Sequence, residues 1–165
     1  MSPTGTRDEL IAQIMGTLAR RHSTATVLLH HAVAERLGLG PTDHKCLDLV
    51  VERGPMTGSE LAGITGLTSG AITGVVARLE RAGFLSREPD PHDGRKQLLH
   101  CTPEGRQRIG EVFAEFADAS TLLSGFDAHQ LAAIAEFLGR GIDFSFRQAA
   151  LLRAHAMTRL TRRQT

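Results

Sequence analysis

Residues 55–102 read PMTGSELAGITGLTSGAITGVVARLERAGFLSREPDPHDGRKQLLHCT, and this stretch decides the fold. Thr57 and Glu60 form a T-x-x-E capping box, in which the hydroxyl accepts from the third backbone N–H and the carboxylate reaches back to the cap. The helix it opens carries Leu61 and Ile64 inward and stops at Gly66. Leu67 occupies the turn and Thr68 caps a second helix. There Ile72, Val75, Val76 and Leu79 repeat with a 3.6-residue period. That helix closes at Gly83, a residue able to take positive φ. Phe84 to Glu88 and Arg95 to Cys101 suit two strands around Pro89-Asp90-Pro91-His92-Asp93-Gly94. The pattern predicts a helix-turn-helix followed by a β-wing.

The outer face of the second helix carries Ser69, Gly70, Thr73, Gly74 and Ala77 instead of the usual Lys, Glu or Gln. Glycine in a helix costs about 1 kcal/mol against alanine, so two of them on one face suit the close approach of something bulky. A duplex groove fits, because a helix-turn-helix places the start of this helix in the major groove. Thr68 and Ser69 stand at the positive end of the helix dipole, where hydroxyls can donate to phosphates. A helical hairpin buried in a protein core is the plainer alternative, and the wing argues against it.

Several pieces resemble the winged helix-turn-helix of the MarR family. They are Gly54-Pro55-Met56-Thr57, Glu60-Leu61-Ala62, Leu67 to Thr73, Arg78 to Phe84, Asp90 to Lys96, and Thr102-Pro103-Glu104-Gly105. The wing pattern D-P-x-D-x-R followed by T-x-x-G is the specific part, and the likeness covers about residues 40 to 110. The resemblance implies that Asp93 braces the wing arginine, that Arg95 at the tip enters the minor groove, and that Ser69, Gly70 and Thr73 face base edges. Thr68, Arg78 and Lys96 complete the expected DNA-binding set. Gly74 departs from the many relatives that carry a longer polar or basic side chain there.

The rest of the chain reads as support. Thr6 or Asp8 caps a first helix running to about Leu37, interrupted by polar Arg20-Arg21-His22-Ser23-Thr24. After Gly38-Leu39-Gly40-Pro41, Thr42 caps a helix with Cys46 or Leu47, Val50 and Val51 inward, and Met56 suits a short strand beside the wing. Thr102 caps a further helix with Pro103 at its first position, its face continuing through Ile109, Val112, Phe113, Phe116 and Ala117 to about Leu123. Asp127 and Gln130 form another capping box, opening a helix that Gly139 and Gly141 weaken before a last helical stretch from Phe144 to about Leu160.

The expected fold is therefore mainly α with a small β-wing, and it divides into three parts. An N-terminal dimerisation helix spans 1–40, a winged helix-turn-helix lobe 41–103, and C-terminal dimerisation helices 104–165. Apolar stripes on both flanks exceed what one small winged domain can bury, which argues for a homodimer matching a palindromic site.

Composition adds limits. The chain has 165 residues, 41% of them apolar, with seven Phe and neither Tyr nor Trp, so aliphatic helix packing must supply most burial. The net charge of +1 does not announce nucleic acid, although residues 147–165 hold five arginines and no acid. No apolar run reaches membrane-spanning length and no signal-peptide pattern opens the chain, so no membrane partner and a cytoplasmic location are expected. Two distant cysteines, Cys46 and Cys101, suggest no disulfide framework.

Eight histidines invite a metal-responsive reading, with His31, Glu35 and His44 as the candidate ligands, but the spacing matches no ligand motif and no cofactor is expected. Cys46 lies on an apolar face, which suits a core residue better than a redox sensor. No nucleophile elbow, phosphate loop or dinucleotide fingerprint points to an enzyme, and Asp90 and Asp93 read as turn residues, not a carboxylate pair. A winged-helix protein-interaction module is opposed by Ser69, Thr73, Arg78 and Arg95. The sequence thus predicts a DNA-binding transcriptional regulator, a ligand-responsive repressor by resemblance, whose small-molecule effector binds between the dimer helices and the DNA-binding lobe.

Overall fold

The computed structural model describes residues 5–116 and 118–161, for 119 and 156–161 by their backbone. The chain forms two units, 1–115 and 116–165.

In the first unit Thr6 caps α1 (Arg7–Ala12) through a reciprocal pair with Glu9. The run continues through a π-helical turn, Gln13–Leu18, into α2 (Ala19–Arg36). α3 (Pro41–Arg53) begins two residues earlier than expected. Gly40 is the N-cap and Pro41 the first helical residue, so Thr42 lies inside the helix and does not cap it. The proline has no N–H to satisfy and a φ already suited to a helix, which favours this start.

β1 (Met56–Thr57), α4 (Gly58–Thr65), α5 (Ser69–Arg81), β2 (Leu85–Pro89) and β3 (Gln97–Cys101) make the winged domain. α4 and α5 meet at a bend of 115°, within the range of a helix-turn-helix. Gly66 (φ 73°) and Gly83 (φ 78°) end these helices in the left-handed region, which a side chain would oppose. The antiparallel sheet has the order β1-β3-β2, with Met56 opposite Leu99 and Leu85 opposite Cys101. Arg95 and Lys96 precede β3 and lie in the turn, not in the strand as expected, because Lys96 N–H closes the turn onto Asp93 O at 2.8 Å.

One core joins these elements. Leu47, Val50, Leu61, Val75, Leu79 and Phe84 are fully buried, with Val33 and Leu37 reaching in from α2 and its end, and Val112 from α6 (Pro103–Ala114). Burying a side chain of this size contributes about 1.5–3 kcal/mol, so this cluster anchors the helix-turn-helix and the wing.

α6 stops at Ala114, well short of Leu123. The Glu115 N–H turns back to Val112 O and Phe113 O, and Asp118 then accepts from Ser120 N–H at 2.9 Å to start a 3-10 turn, Ala119–Leu123. Such local side-chain bonding competes with helix continuation. Ala117, expected on the helical face, lies outside the described residues. In the second unit Asp127 and Gln130 exchange hydrogen bonds of 2.9 Å and open α7 (Ala128–Thr161). α7 is one helix of 34 residues and does not break at Gly139 and Gly141. Glu136 pairs with Arg140 across that stretch, and good helix formers on either side outweigh two glycines. Among the described residues no single helix is long and apolar enough to cross a membrane.

Candidate nucleic-acid interface

The outer face of α5 starts at Thr68, whose hydroxyl accepts from Ala71 N–H at 3.2 Å and fixes the helix start. Ser69, Gly70 and Thr73 are exposed. The Thr73 hydroxyl donates back to Ser69 O at 2.9 Å, so its oxygen faces outward as an acceptor. Nothing lies within 4 Å of where a Gly70 side chain would begin, so this part of the helix is open to a partner.

Gly74 differs from Gly70. It is half-buried, and a methyl there would meet the Arg78 guanidinium at 3.4 Å. Arg78 lies back over Gly74 and reaches α3, where its Nε and one terminal nitrogen each donate to Asp43 at 2.7 Å. A methyl at Gly74 would stand at an ordinary contact distance from the movable end of Arg78, so the intramolecular pair does not depend on the glycine. Asp43 is buried while half of the Arg78 side chain is exposed. Hydrogen bonding to Asp43 holds the Arg78 guanidinium above its ordinary pKa. Asp43 carries no local signature in sequence, since its partner is 35 residues away.

The wing tip is built by its acids. Asp90 accepts from His92 N–H at 2.8 Å, which holds its carboxyl below the ordinary range, and Asp93 accepts from Arg95 N–H at 3.2 Å. Asp93 also takes the Arg95 Nε at 3.2 Å and stands 3.9 Å from Lys96 Nζ. Arg95 remains 93% exposed and so projects beyond the wing while braced at its base. Farther down, Arg87 of β2 pairs with Glu80 of α5 at 3.0 Å and ties wing to helix.

A groove of about 660 Å³ runs between the start of α4, α5 and the wing, and its walls include Ser69, Thr73, Arg95 and Lys96. Thr68, the N-cap of α5, and Gly70 flank Ser69 in the chain but do not line the groove, and Arg78 is turned away to α3. Glu60 and Asp90 also line the groove; backbone hydrogen bonds from Thr57 N–H at 2.7 Å and His92 N–H at 2.8 Å lower the pKa of both and keep them ionised, with their carboxylates engaged in the cap and the wing turn. The floor is therefore a helix N-terminus with hydroxyls, flanked by two projecting cations. That arrangement suits a polyanion with readable edges.

The chain matches the MarR family model over residues 39–96. It is 38% identical over 144 residues to the HTH-type transcriptional regulator YcgE of Bacillus subtilis, covering 87% of this chain and 93% of that protein. The chain belongs to the MarR family. A MarR family protein of Bacillus stearothermophilus superposes with a TM-score of 0.61 at 20% identity, over 86% of this chain and 99% of that one. A mutant of S. aureus MepR bound to an oligodeoxyribonucleotide has the same fold at a TM-score of 0.50 and 18% identity, over 76% and 94% of the two chains. The protein is thus a MarR-family transcriptional regulator with the winged helix of that family.

The other candidate chemistries look different in three dimensions. Among the described residues no three of His, Cys, Asp and Glu come together as a metal would require, and His31 and Glu35 are exposed while His44 is buried. His44 instead lies tilted against His30, with ring centroids 5.5 Å apart. Cys46 and Cys101 are buried free thiols, and burial raises the pKa of both, which opposes the thiolate a redox sensor needs. Arg162 and Arg163 of the C-terminal arginine-rich tail lie outside the described residues.

Proposed function

We propose that this MarR-family regulator is a cytoplasmic homodimeric repressor that binds a palindromic DNA site and releases it on binding a small molecule. The groove joining Ser69 and Thr73 to Arg95 and Lys96 carries the reading. The hydroxyl-lined helix start reads base edges in the major groove, and the braced Arg95 follows the adjoining minor groove. Thr68 and Lys96 hold phosphates. Arg78 acts from behind, through Asp43. A DNA-bound relative of the same fold supports this assignment.

Dimerisation is supported by apolar side chains exposed in the single chain, among them Leu28 at 62%, Ile142 at 56% and Leu152 at 68%. So many exposed apolar groups on helices outside the winged domain fit a subunit interface. A mainly apolar cavity of about 340 Å³ lies between α2 and α3, with Val27, His30, Pro41, His44 and Lys45 on its walls. Its size is at the lower end for a small-molecule site, and Lys45 suits an aromatic anion.

The test is a titration of the full chain against duplexes selected from genomic DNA, at several salt concentrations, with light scattering of the complex. Two chains per duplex and affinity falling steeply with salt are expected. Salt-independent binding or a monomeric complex overturns the reading. Benzoate serves as the first effector probe, and weakening of the selected complex is the expected result.

A further inference from the structure

α6 grips the end of the recognition helix along one face. Thr102, Gly105 and Arg108 follow each other at intervals of three residues, and all three meet the segment 82–84 that leaves α5. The Thr102 hydroxyl donates to Gly83 O at 2.6 Å, and Gly105 packs against the backbone of Phe84. Arg108 is half-buried and goes further than the other two. Its guanidinium carbon lies 4.0 Å from the centre of the Phe84 ring, and one terminal nitrogen donates to Ala82 O at 2.9 Å. The second terminal nitrogen donates to Leu37 O at 3.4 Å.

Ala82 and Leu37 are the C-terminal caps of α5 and α2. Helix C-termini leave carbonyls without partners inside the helix and carry the negative end of the dipole. A single guanidinium serves both ends, and its planar fork holds the two carbonyls at a fixed separation. Arg36 at the end of α2 also pairs with Glu115 beyond the end of α6 at 2.6 Å, so the same two elements are tied twice. The outer part of α2 carries exposed Val27, Leu28 and Leu29.

We infer that Arg108 is a specificity-determining positioning residue, which sets the angle of the recognition helix against α2 and thereby transmits the geometry of the subunit arms to the DNA face. Arg108 itself touches no DNA in this assignment. The inference rests on the DNA-binding reading above. It concerns orientation, so it separates sequence-specific from sequence-independent binding. Sequence-independent affinity depends on phosphate neutralisation and tolerates a tilted helix, whereas base readout does not.

The experiment compares the wild-type chain with Arg108→Met, and with Arg108→Lys as a milder variant that keeps the charge but cannot span both carbonyls. Affinities are measured for a selected duplex and for a scrambled duplex of equal length, across a salt series. In parallel, nitroxides on Glu35→Cys and Arg81→Cys, diluted with unlabelled chain, report the α2–α5 distance. Arg108→Met is expected to weaken the selected duplex about fivefold to tenfold, leave the scrambled duplex and the salt slope unchanged, and broaden the distance distribution. Arg108→Lys is expected to fall between the two and stands alone should Arg108→Met fail to fold. A lower melting temperature with an unchanged affinity ratio and an unchanged distance distribution would make Arg108 merely structural and overturn the inference. If the wild-type chain binds neither duplex, the DNA reading fails by itself. The distance measurement then decides the role of Arg108, an unbroadened distribution overturning it.

Discussion

Asp43 on α3 and Arg78 on α5 are joined by two parallel hydrogen bonds of 2.7 Å, and this pair fixes the back of the recognition helix. The two partners are unequal: the Asp43 side chain is 9% exposed and that of Arg78 52%. Water can replace Asp43 around the arginine, but it cannot reach the carboxylate as well.

Truncating the two partners should therefore give different losses. Arg78→Met strands a buried carboxylate, and leaving Asp43 unpaired should cost about 2 kcal/mol, below the range for a fully buried pair because water reaches one side. Asp43→Ala should lower the melting temperature less, since the released arginine hydrates. Thermal unfolding of both single variants and the double variant checks this order. Equal losses, or a larger loss for Asp43→Ala, would contradict the argument.

What was legible in the sequence follows the range of the contacts. The Thr57–Glu60 box, the Thr68 cap, the Gly83 ending and the Asp127–Gln130 box are made within three residues or at one backbone position, so residue type and spacing declare them. Asp43–Arg78 and the Arg108 bridges span 26 to 71 residues, and no local pattern encodes such pairings. The end of α6 was hidden for another reason. Phe113 and Phe116 keep the apolar period going, while the Asp118 turn that ends the helix is a competition between two local hydrogen-bonding schemes. At Gly139 and Gly141 the glycine signal pointed to a break that the surrounding helix overrides.

Gly70 and Gly74, one turn apart, should both gain stability from alanine and differ at the proposed DNA face, where Gly70 is exposed and Gly74 half-buried. Gly70→Ala meets open space and should stabilise the free protein by about 0.5–1 kcal/mol. Gly74→Ala gains the same helix preference, and its methyl meets the movable end of Arg78 at an ordinary contact distance of 3.4 Å, so it should stabilise about as much. Gly70→Ala should also weaken specific DNA binding, because the methyl points into the proposed contact face. A melting temperature that does not rise in either variant, or unchanged DNA affinity for Gly70→Ala, would contradict this.

At the wing, Arg95→Ala should weaken DNA binding by about 1–3 kcal/mol, with the fold unaffected. If the side chain lies along phosphates, the slope of affinity against salt falls by about one; if it reads the minor groove, sequence preference relaxes instead. Circular dichroism controls for folding. A folded variant with wild-type affinity at every salt concentration would clear Arg95 of any contact.

His44 gives the chain a pH dependence of definite sign. Burial lowers its pKa in the folded state, His30 and Lys45 add to this, and Asp48 opposes it. Between the folded value and the ordinary value of about 6.5, the unfolded chain holds the proton more tightly, so stability rises with pH through that window. Acidification from pH 8 to pH 5 should thus cost the wild-type chain more stability than it costs His44→Gln. Parallel melting curves of the two proteins across this range would show that His44 does not titrate on unfolding.

Two glycines of α6 should move stability in opposite directions, and the contrast tests how tightly this helix is docked. At Gly105 a Cβ would stand 2.9 Å from Phe84 O, 3.0 Å from Phe84 Cα and 3.0 Å from the Thr102 hydroxyl. Two of these are backbone atoms following the recognition helix, and the third is the cap that donates to Gly83 O. None can swing aside as a long side chain does, so α6 must shift. Overpacking of this kind costs about 1–3 kcal/mol. At Gly110, five residues along the same helix and exposed, nothing lies within 4 Å, and alanine should stabilise by about 0.5–1 kcal/mol through helix preference alone. Urea unfolding should show a lower midpoint for Gly105→Ala and a higher one for Gly110→Ala, each with the wild-type slope, because neither changes the surface exposed on unfolding. A neutral Gly105→Ala would mean that α6 rides loosely on Phe84, and the grip on the end of the recognition helix would have to come from Thr102 and Arg108.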